Sequence, residues 1–96
     1  MSSLHTISKS PDSRLLEQCL ALCSDKDAIL FIEDGVYHGV LAETLAKIPA
    51  AIAVYALRED LQARGLQERI DARAKTASMK KFVELCGDYD KVISWF

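Results

Sequence analysis

Two short apolar runs, Ala28–Ile32 and Ile52–Leu57, constrain this chain more than anything else in it. Each is rich in β-branched or aromatic residues, and about one helix's worth of chain separates them. Neither alternates with polar side chains as a half-exposed strand does, so both read as strands covered on two faces. Strand, helix, strand in that order is a βαβ unit, with parallel strands and a right-handed crossover. The remaining segments have to cover that unit.

The flanking sequence supplies the cover. Leu4–Ile7 reads as a first strand, and Ser10-Pro11 as the cap and first position of a helix carrying Leu15, Leu16, Cys19, Leu22 and Cys23 at intervals of three and four. That helix stops at Ser24–Asp27. After the strand Ala28–Ile32, the turn Glu33-Asp34-Gly35 leads into a second helix with a buried stripe of Val36, Val40, Leu41, Leu45 and Ile48, ended by Pro49. Arg58–Asp60 begins a short helix through Leu61 and Ala63, closed by a left-handed Gly65 and its apolar follower Leu66. Ile70–Thr76 has the weak alternation of a short or edge strand. Ser78 precedes a helix with Met79, Phe82, Val83 and Cys86 on one side, stopped by Gly87, and Val92–Phe96 is a terminal strand. The expected fold is α/β: a three-layer α/β/α sandwich with a five-stranded, mainly parallel, doubly wound sheet.

Ninety-six residues make a single domain, 1–96, since domains run from about 50 to 250 residues. A chain of this size buries only roughly 60–68% of the surface its unfolded form exposes, which leaves room for partner subunits to add stability. The formal net charge of −2 argues against a surface devoted to a phosphate backbone. No apolar stretch nears the roughly 20 residues that cross a bilayer, and the N-terminus lacks the segments of a signal peptide, so a cytoplasmic protein without membrane contact is expected.

The fold alone assigns no chemistry. Neither G-x-G-x-x-G nor G-x-x-x-x-G-K-[ST] occurs, and a site on a sheet of this kind is expected outside its C-terminal edge, near Ser8–Ser10, Glu33–Tyr37 and Arg58–Asp60. The three cysteines, 19, 23 and 86, form no CxxC pair and show no zinc-ligand spacing, so reduced thiols are expected, with neither metal nor cofactor. Cys19 is the candidate for thiol chemistry: a thiolate accepts a sulfane sulfur and passes it to another thiol if donor and acceptor can approach. Its other reading is packing in the apolar stripe beside Leu15 and Leu22, and Cys23 and Cys86 read as packing groups. His5 and His38 read as hydrogen-bonded structural residues, and Glu33 and Asp34 as turn-binding carboxylates rather than an acid/base pair. Asp60 and Arg64 are spaced to pair on a helix surface. Trp95 and Phe96 fit either the core or a subunit contact.

Several of these residues, taken in order, resemble the TusB/DsrH family of small sulfur-relay subunits. The matching segments are Leu4-His5-Thr6 with Ser10-Pro11, Glu33-Asp34-Gly35-Val36-Tyr37, Val54-Tyr55-Ala56-Leu57 with Asp60-Leu61, Ala63-Arg64-Gly65, Phe82-Val83-Glu84-Leu85, and Trp95. The resemblance implies the DsrEFH-like fold and a subunit, non-catalytic or sulfur-carrying, of a complex with TusC/DsrF-like and TusD/DsrE-like partners, built as a dimer of heterotrimers. It implies persulfide relay toward 2-thiolation of the tRNA wobble uridine or, in the DsrH branch, sulfur trafficking during dissimilatory sulfur oxidation. Cys19 matches the helix-one cysteine of the DsrH-like pattern, as a persulfide carrier. Two other classes stand beside this: a structural adaptor whose thiols never carry sulfur, and a small-metabolite enzyme using the C-terminal edge of the sheet.

The acidic balance and the lack of an aromatic strand platform predict no tight RNA binding by the isolated chain. Fluorescence anisotropy with tRNA at 150 mM salt should give affinities no better than roughly 10⁻⁴–10⁻⁶ M, the range of non-specific binding. Submicromolar, sequence-selective binding would contradict it.

Overall fold

The computed structural model describes residues 1–96. Five strands, β1 (Ser3–Ile7), β2 (Ala28–Phe31), β3 (Ala53–Leu57), β4 (Lys75–Ala77) and β5 (Lys91–Trp95), form one sheet in the order β4-β3-β2-β1-β5. Every neighbouring pair is parallel, in registers such as Leu4 opposite Ala28, His5 opposite Ile93 and Val54 opposite Ile29. Four α-helices connect them: α1 (Leu15–Leu20), α2 (Ala42–Leu45), α3 (Arg58–Ala63) and α4 (Met79–Asp88), with a 3₁₀ segment, Glu33–Val40, ahead of α2.

The topology dictates the layers. From β1 to β4 the chain steps three times in one direction, and right-handed crossovers put every connection of that run on one face. Leu16, Cys19, Val36, Leu45, Ile48, Leu61 and Leu66 from those connections pack there against Ile7, Ile29, Phe31, Val54 and Ala56. The return from β4 to β5 runs the other way, so α4 lies on the opposite face, where Leu85 packs on Leu4, Ala28, Leu30 and Ala77. Strand alternation feeds both cores: Ile29 and Phe31 point to the first, Ala28 and Leu30 to the second.

The sequence reading of the elements needs several corrections. Pro11 does not open α1; residues 11–14 form turns, the Ser13 N–H bonds the Ser10 carbonyl, and the Ser13 hydroxyl accepts from the Leu15 N–H at 3.3 Å. α1 ends at Leu20 rather than running on to Cys23, because the next N–H groups bond three residues back, Leu22 to Cys19 and Cys23 to Leu20. That tightening turns Leu22 outward, 71% exposed, although it belongs to the apolar periodicity. The single helix expected after Gly35 is broken at Leu41, whose backbone is extended. Ile70–Ala74 is not strand: the Asp71 N–H bonds the Gly39 carbonyl at 2.8 Å, while Arg73 Nη2 donates to the Pro49 and Ile52 carbonyls at 2.9 and 2.8 Å. Only Lys75–Ala77 pairs with β3, as an edge strand. Gly87 does not stop α4, which continues to Asp88, and Met79 and Val83 face outward instead of joining Phe82 and Cys86.

Other local readings hold in detail. Ser78 caps α4, its hydroxyl accepting from the Lys81 N–H at 3.1 Å. Gly65 sits at φ 67°, with the Leu66 N–H on the Leu61 carbonyl at 2.9 Å and the Gly65 N–H on Gln62 at 3.1 Å, the two bonds of a Schellman cap. Gly35 is required for a different reason. The 3₁₀ segment presses onto the end of β1 so closely that a Cβ there would overlap the Ile7 carbonyl oxygen and lie 2.9 Å from its carbon.

These placements rank the glycines. Gly35→Ala should cost about 3 kcal/mol, because backbone rather than a side chain has to yield. Gly65→Ala should cost about 1 kcal/mol for its left-handed conformation. Gly87→Ala, in open space on α4, should gain about 0.5 kcal/mol. Urea unfolding of the three variants checks this order, and a tolerated Gly35→Ala would contradict the close approach.

Candidate functional site

The side chains with chemical potential gather beneath α1, between β1 and the descent into β2. Asp27, immediately before β2, is buried and accepts from the Ser3 N–H at 2.9 Å, the Ser24 N–H at 3.1 Å and the Ser24 hydroxyl at 3.1 Å. His5, in the middle of β1, completes the set with Nε2 at 2.9 Å from Asp27 Oδ2. The other ring nitrogen, Nδ1, accepts from the indole N–H of Trp95 at 3.1 Å. Because an indole nitrogen only donates, Nδ1 carries the lone pair and Nε2 the proton, which His5 gives to Asp27. Burial pushes the Asp27 carboxyl up, but the bonds from His5, Ser24 and Ser3 outweigh it and hold the group below the ordinary carboxylate range.

Cys19 and Cys23 lie against this network, their Sγ atoms 3.6 Å apart at the end of α1. Cys19 is 0% exposed, whereas Cys23 is partly open to solvent. The contact affects the two thiols unequally. The hydrogen bond to Cys23, followed by burial and the charges of Cys23 and Asp27, pushes the Cys19 thiol far above its usual range. That same bond draws Cys23 below its usual value, against burial and the Asp27 charge. Cys23 is therefore the more acidic thiol of the pair.

Donor atoms of His5, Cys19 and Cys23 lie within 4.8 Å of one another, close enough to invite a metal. Both His5 nitrogens are already engaged, by Asp27 and by Trp95, so a metal there would have to break one of those bonds. What remains chemically free is the pair of thiols. Cys86 takes no part, since it packs on the opposite face with Leu85 and Phe82.

The C-terminal edge of the sheet holds a separate groove of about 310 Å³, lined by Thr6, Ser8, Lys9, Ile32, Glu33, Asp34, Ser94, Trp95 and Phe96. Ser8, Glu33 and Asp34 are where the sequence placed a site, but Arg58–Asp60 does not line it. Asp60 instead braces the turn from behind, Oδ2 accepting from the Glu33 N–H at 2.6 Å, with Glu33 held at φ 50°. Arg64 donates to Asp34 Oδ1 through Nε and Nη2, at 3.1 and 3.0 Å, and its Nη1 lies 3.8 Å from Asp60. The Asp60–Arg64 spacing thus serves a tie between α3 and the 3₁₀ segment as well as a helix-surface pair. Asp34 is consumed in that tie. The acid/base reading of Glu33 and Asp34 gains no partner residue from it.

His38 is buried, stacked on Phe31 with ring centroids 4.9 Å apart, and its Nε2 bonds the Lys9 carbonyl at 3.2 Å, leaving Nδ1 without a partner. Burial lowers its basicity against the pull of that carbonyl. Asp27 is the residue that sequence reasoning missed, having read it only as part of a helix stop. The sole available signal was a carboxylate directly abutting an apolar strand.

A doubly wound α/β domain with one buried and one partly open thiol in contact is the class this geometry defines. Comparison with known proteins then places the chain. The family model described as DsrH like protein matches residues 9–92. Proteins named TusB are similar over nearly their full length: that of Escherichia coli is 38% identical over 96 residues, and that of Photorhabdus laumondii 33% over 97, each covering 96% of this chain and 99% of the relative. The chain belongs to the TusB/DsrH family. In fold, it is similar to the crystal structure of the ychN protein from E. coli, with a TM-score of 0.79, 14% identity and coverage of 99% and 100% of the two chains. The solution structure of Tm0979 from Thermotoga maritima gives a TM-score of 0.71 at 21% identity, covering 90% and 92%.

The Asp27 network makes a pH prediction. A carboxyl held below its unfolded value adds stability that is fully present above that unfolded value, near pH 4, and is lost as pH falls through the lower folded value. Asp27→Asn should therefore cost about 2 kcal/mol at pH 7, as for a hydrogen-bonded buried charge. Its deficit against the parent should shrink on acidification below pH 4. Urea midpoints across pH 2–7 test this, and a pH-independent deficit would contradict it.

Proposed function

We propose that this protein is a subunit of a cytoplasmic sulfur relay that passes persulfide sulfur toward 2-thiolation of the tRNA wobble uridine. The observation that carries the reading is the near full-length likeness to proteins named TusB, on a chain whose thiols Cys19 and Cys23 meet at 3.6 Å. Its partners are related TusC/DsrF-like and TusD/DsrE-like small subunits, arranged as a dimer of heterotrimers. The exposed apolar groups around the edge strand β5, Val92 and Ile93 with the adjoining Phe96 at 83% exposure, support a subunit contact there. Cys19 belongs to the thiol site of the relay.

No helix is long and apolar enough to cross a membrane. A DsrH-type role in sulfur oxidation uses the same fold and thiols, and gene neighbours that encode dissimilatory sulfite reductase would favour it. Complete burial of Cys19 favours a different reading, an adaptor without thiol chemistry. On the leading reading, deletion of the gene should remove most 2-thiouridine from wobble positions, measured by nucleoside mass spectrometry and restored by the intact gene. Unchanged thiolation would overturn it.

A further inference from the structure

We propose that Cys23 is the residue on which this chain receives a sulfane sulfur, and that Cys19 resolves the resulting persulfide to a Cys19–Cys23 disulfide with release of hydrogen sulfide. The proposal deepens the sulfur-relay reading and rests on it. Geometry separates the two roles. A donor has to reach its target, and of the two touching sulfurs only that of Cys23 belongs to a residue open to solvent. Cys19 Sγ lies 3.6 Å from Cys23 Sγ, the atom that becomes the inner sulfur of a persulfide. The outer sulfur has its open path toward solvent, so the inner one is the atom in reach of Cys19.

The first step is attack of the Cys23 thiolate on the outer sulfur of a low-molecular-weight persulfide, RS–SH. The donor's S–S bond breaks, RS⁻ leaves and takes up a proton, and Cys23–S–SH is formed. In the second step Cys19 loses its proton and attacks Cys23 Sγ, the inner sulfur. The bond to the outer sulfur breaks and hydrosulfide departs with the Cys19 proton as H₂S. The sulfane sulfur gains two electrons, and the two cysteine sulfurs supply them by becoming a disulfide.

The two Sγ atoms already lie 3.6 Å apart, so an approach of about 1.5 Å brings them to the ~2.05 Å of a disulfide bond. Burial disfavours the Cys19 thiolate, which slows the second step relative to hand-over to a waiting acceptor thiol. The pair would thus pass its sulfur on while an acceptor is at hand and discharge it as H₂S otherwise. Cys86 cannot replace Cys19, because the sheet lies between them.

The test uses the full chain carrying Cys86→Ser, reduced and treated with glutathione persulfide, followed by intact mass, peptide mapping and sulfide release. Cys23 should gain about 32 Da, and the adduct should give way to a chain ~2 Da lighter than the reduced form with one sulfide released. Adding Cys19→Ser should hold the Cys23 adduct about tenfold longer, there being no resolving thiol. Adding Cys23→Ser should abolish both adduct and sulfide. Loading of Cys19 at the parent rate in the Cys23→Ser chain, or equal adduct lifetimes with and without Cys19, would overturn the proposal. Substoichiometric iodoacetamide on the folded parent gives a readout free of variant folding: Cys23 should be alkylated before Cys19, and the reverse order overturns the assignment. Full tRNA thiolation in a strain whose protein lacks both cysteines would defeat this site while leaving the subunit reading intact. The site chemistry in a chain whose deletion spares thiolation would do the opposite.

Discussion

A single buried carboxylate, Asp27, holds together parts of the molecule that no local rule of chain folding would join. It closes the passage from α1 to β2 through Ser24, fastens the start of β1 through the Ser3 N–H, and fixes the tautomer of His5. His5 in turn receives the indole N–H of Trp95, so the last residue of the edge strand is anchored to the middle of the neighbouring strand β1. A buried charge is tolerable when its oxygens are occupied by donors, and here four of them converge. The thiol pair lies at the foot of this network. Its proton distribution, with Cys23 the more acidic thiol, develops against the Asp27 charge and is set by the contact between the two sulfurs.

The direction of the crossovers explains why thiols and groove lie apart. α1 runs antiparallel to the strands, so its end, with Cys19 and Cys23, reaches the N-terminal edge of the sheet. The groove at Ser8, Glu33 and Asp34 lies at the C-terminal edge. Much of what marks the family in this chain maintains that edge: Gly35 admits the Ile7 carbonyl, Asp60 holds the Glu33 amide, and Arg64 holds Asp34. Those motif residues speak first for the fold. The two touching thiols, Cys19 and Cys23, lie at the other edge.

Strands were legible from sequence because both cores draw on them: Ala28–Phe31 and Ala53–Leu57 are apolar on two faces, and Ser78 and Gly65 announce their caps by residue type. Helix lengths were less so. Leu22 and Val83 satisfy an apolar period yet face solvent, since a 3₁₀ turn ends α1 early and α4 is the only helix on its face. The expectation that His5 is a hydrogen-bonded structural residue agrees with its two bonds, but its partners lie 22 and 90 residues away, a pairing no spacing rule reaches. Cys19 is legible as a candidate from its place in helix one; that Cys23 touches it and presents the open side depends on where α1 stops.

If this domain works as one of three related subunits handling sulfur, native mass spectrometry of the chain co-expressed with its two related small subunits should show a hexamer containing two copies of each chain. A chain that stayed monomeric while the other two assembled without it would contradict that role.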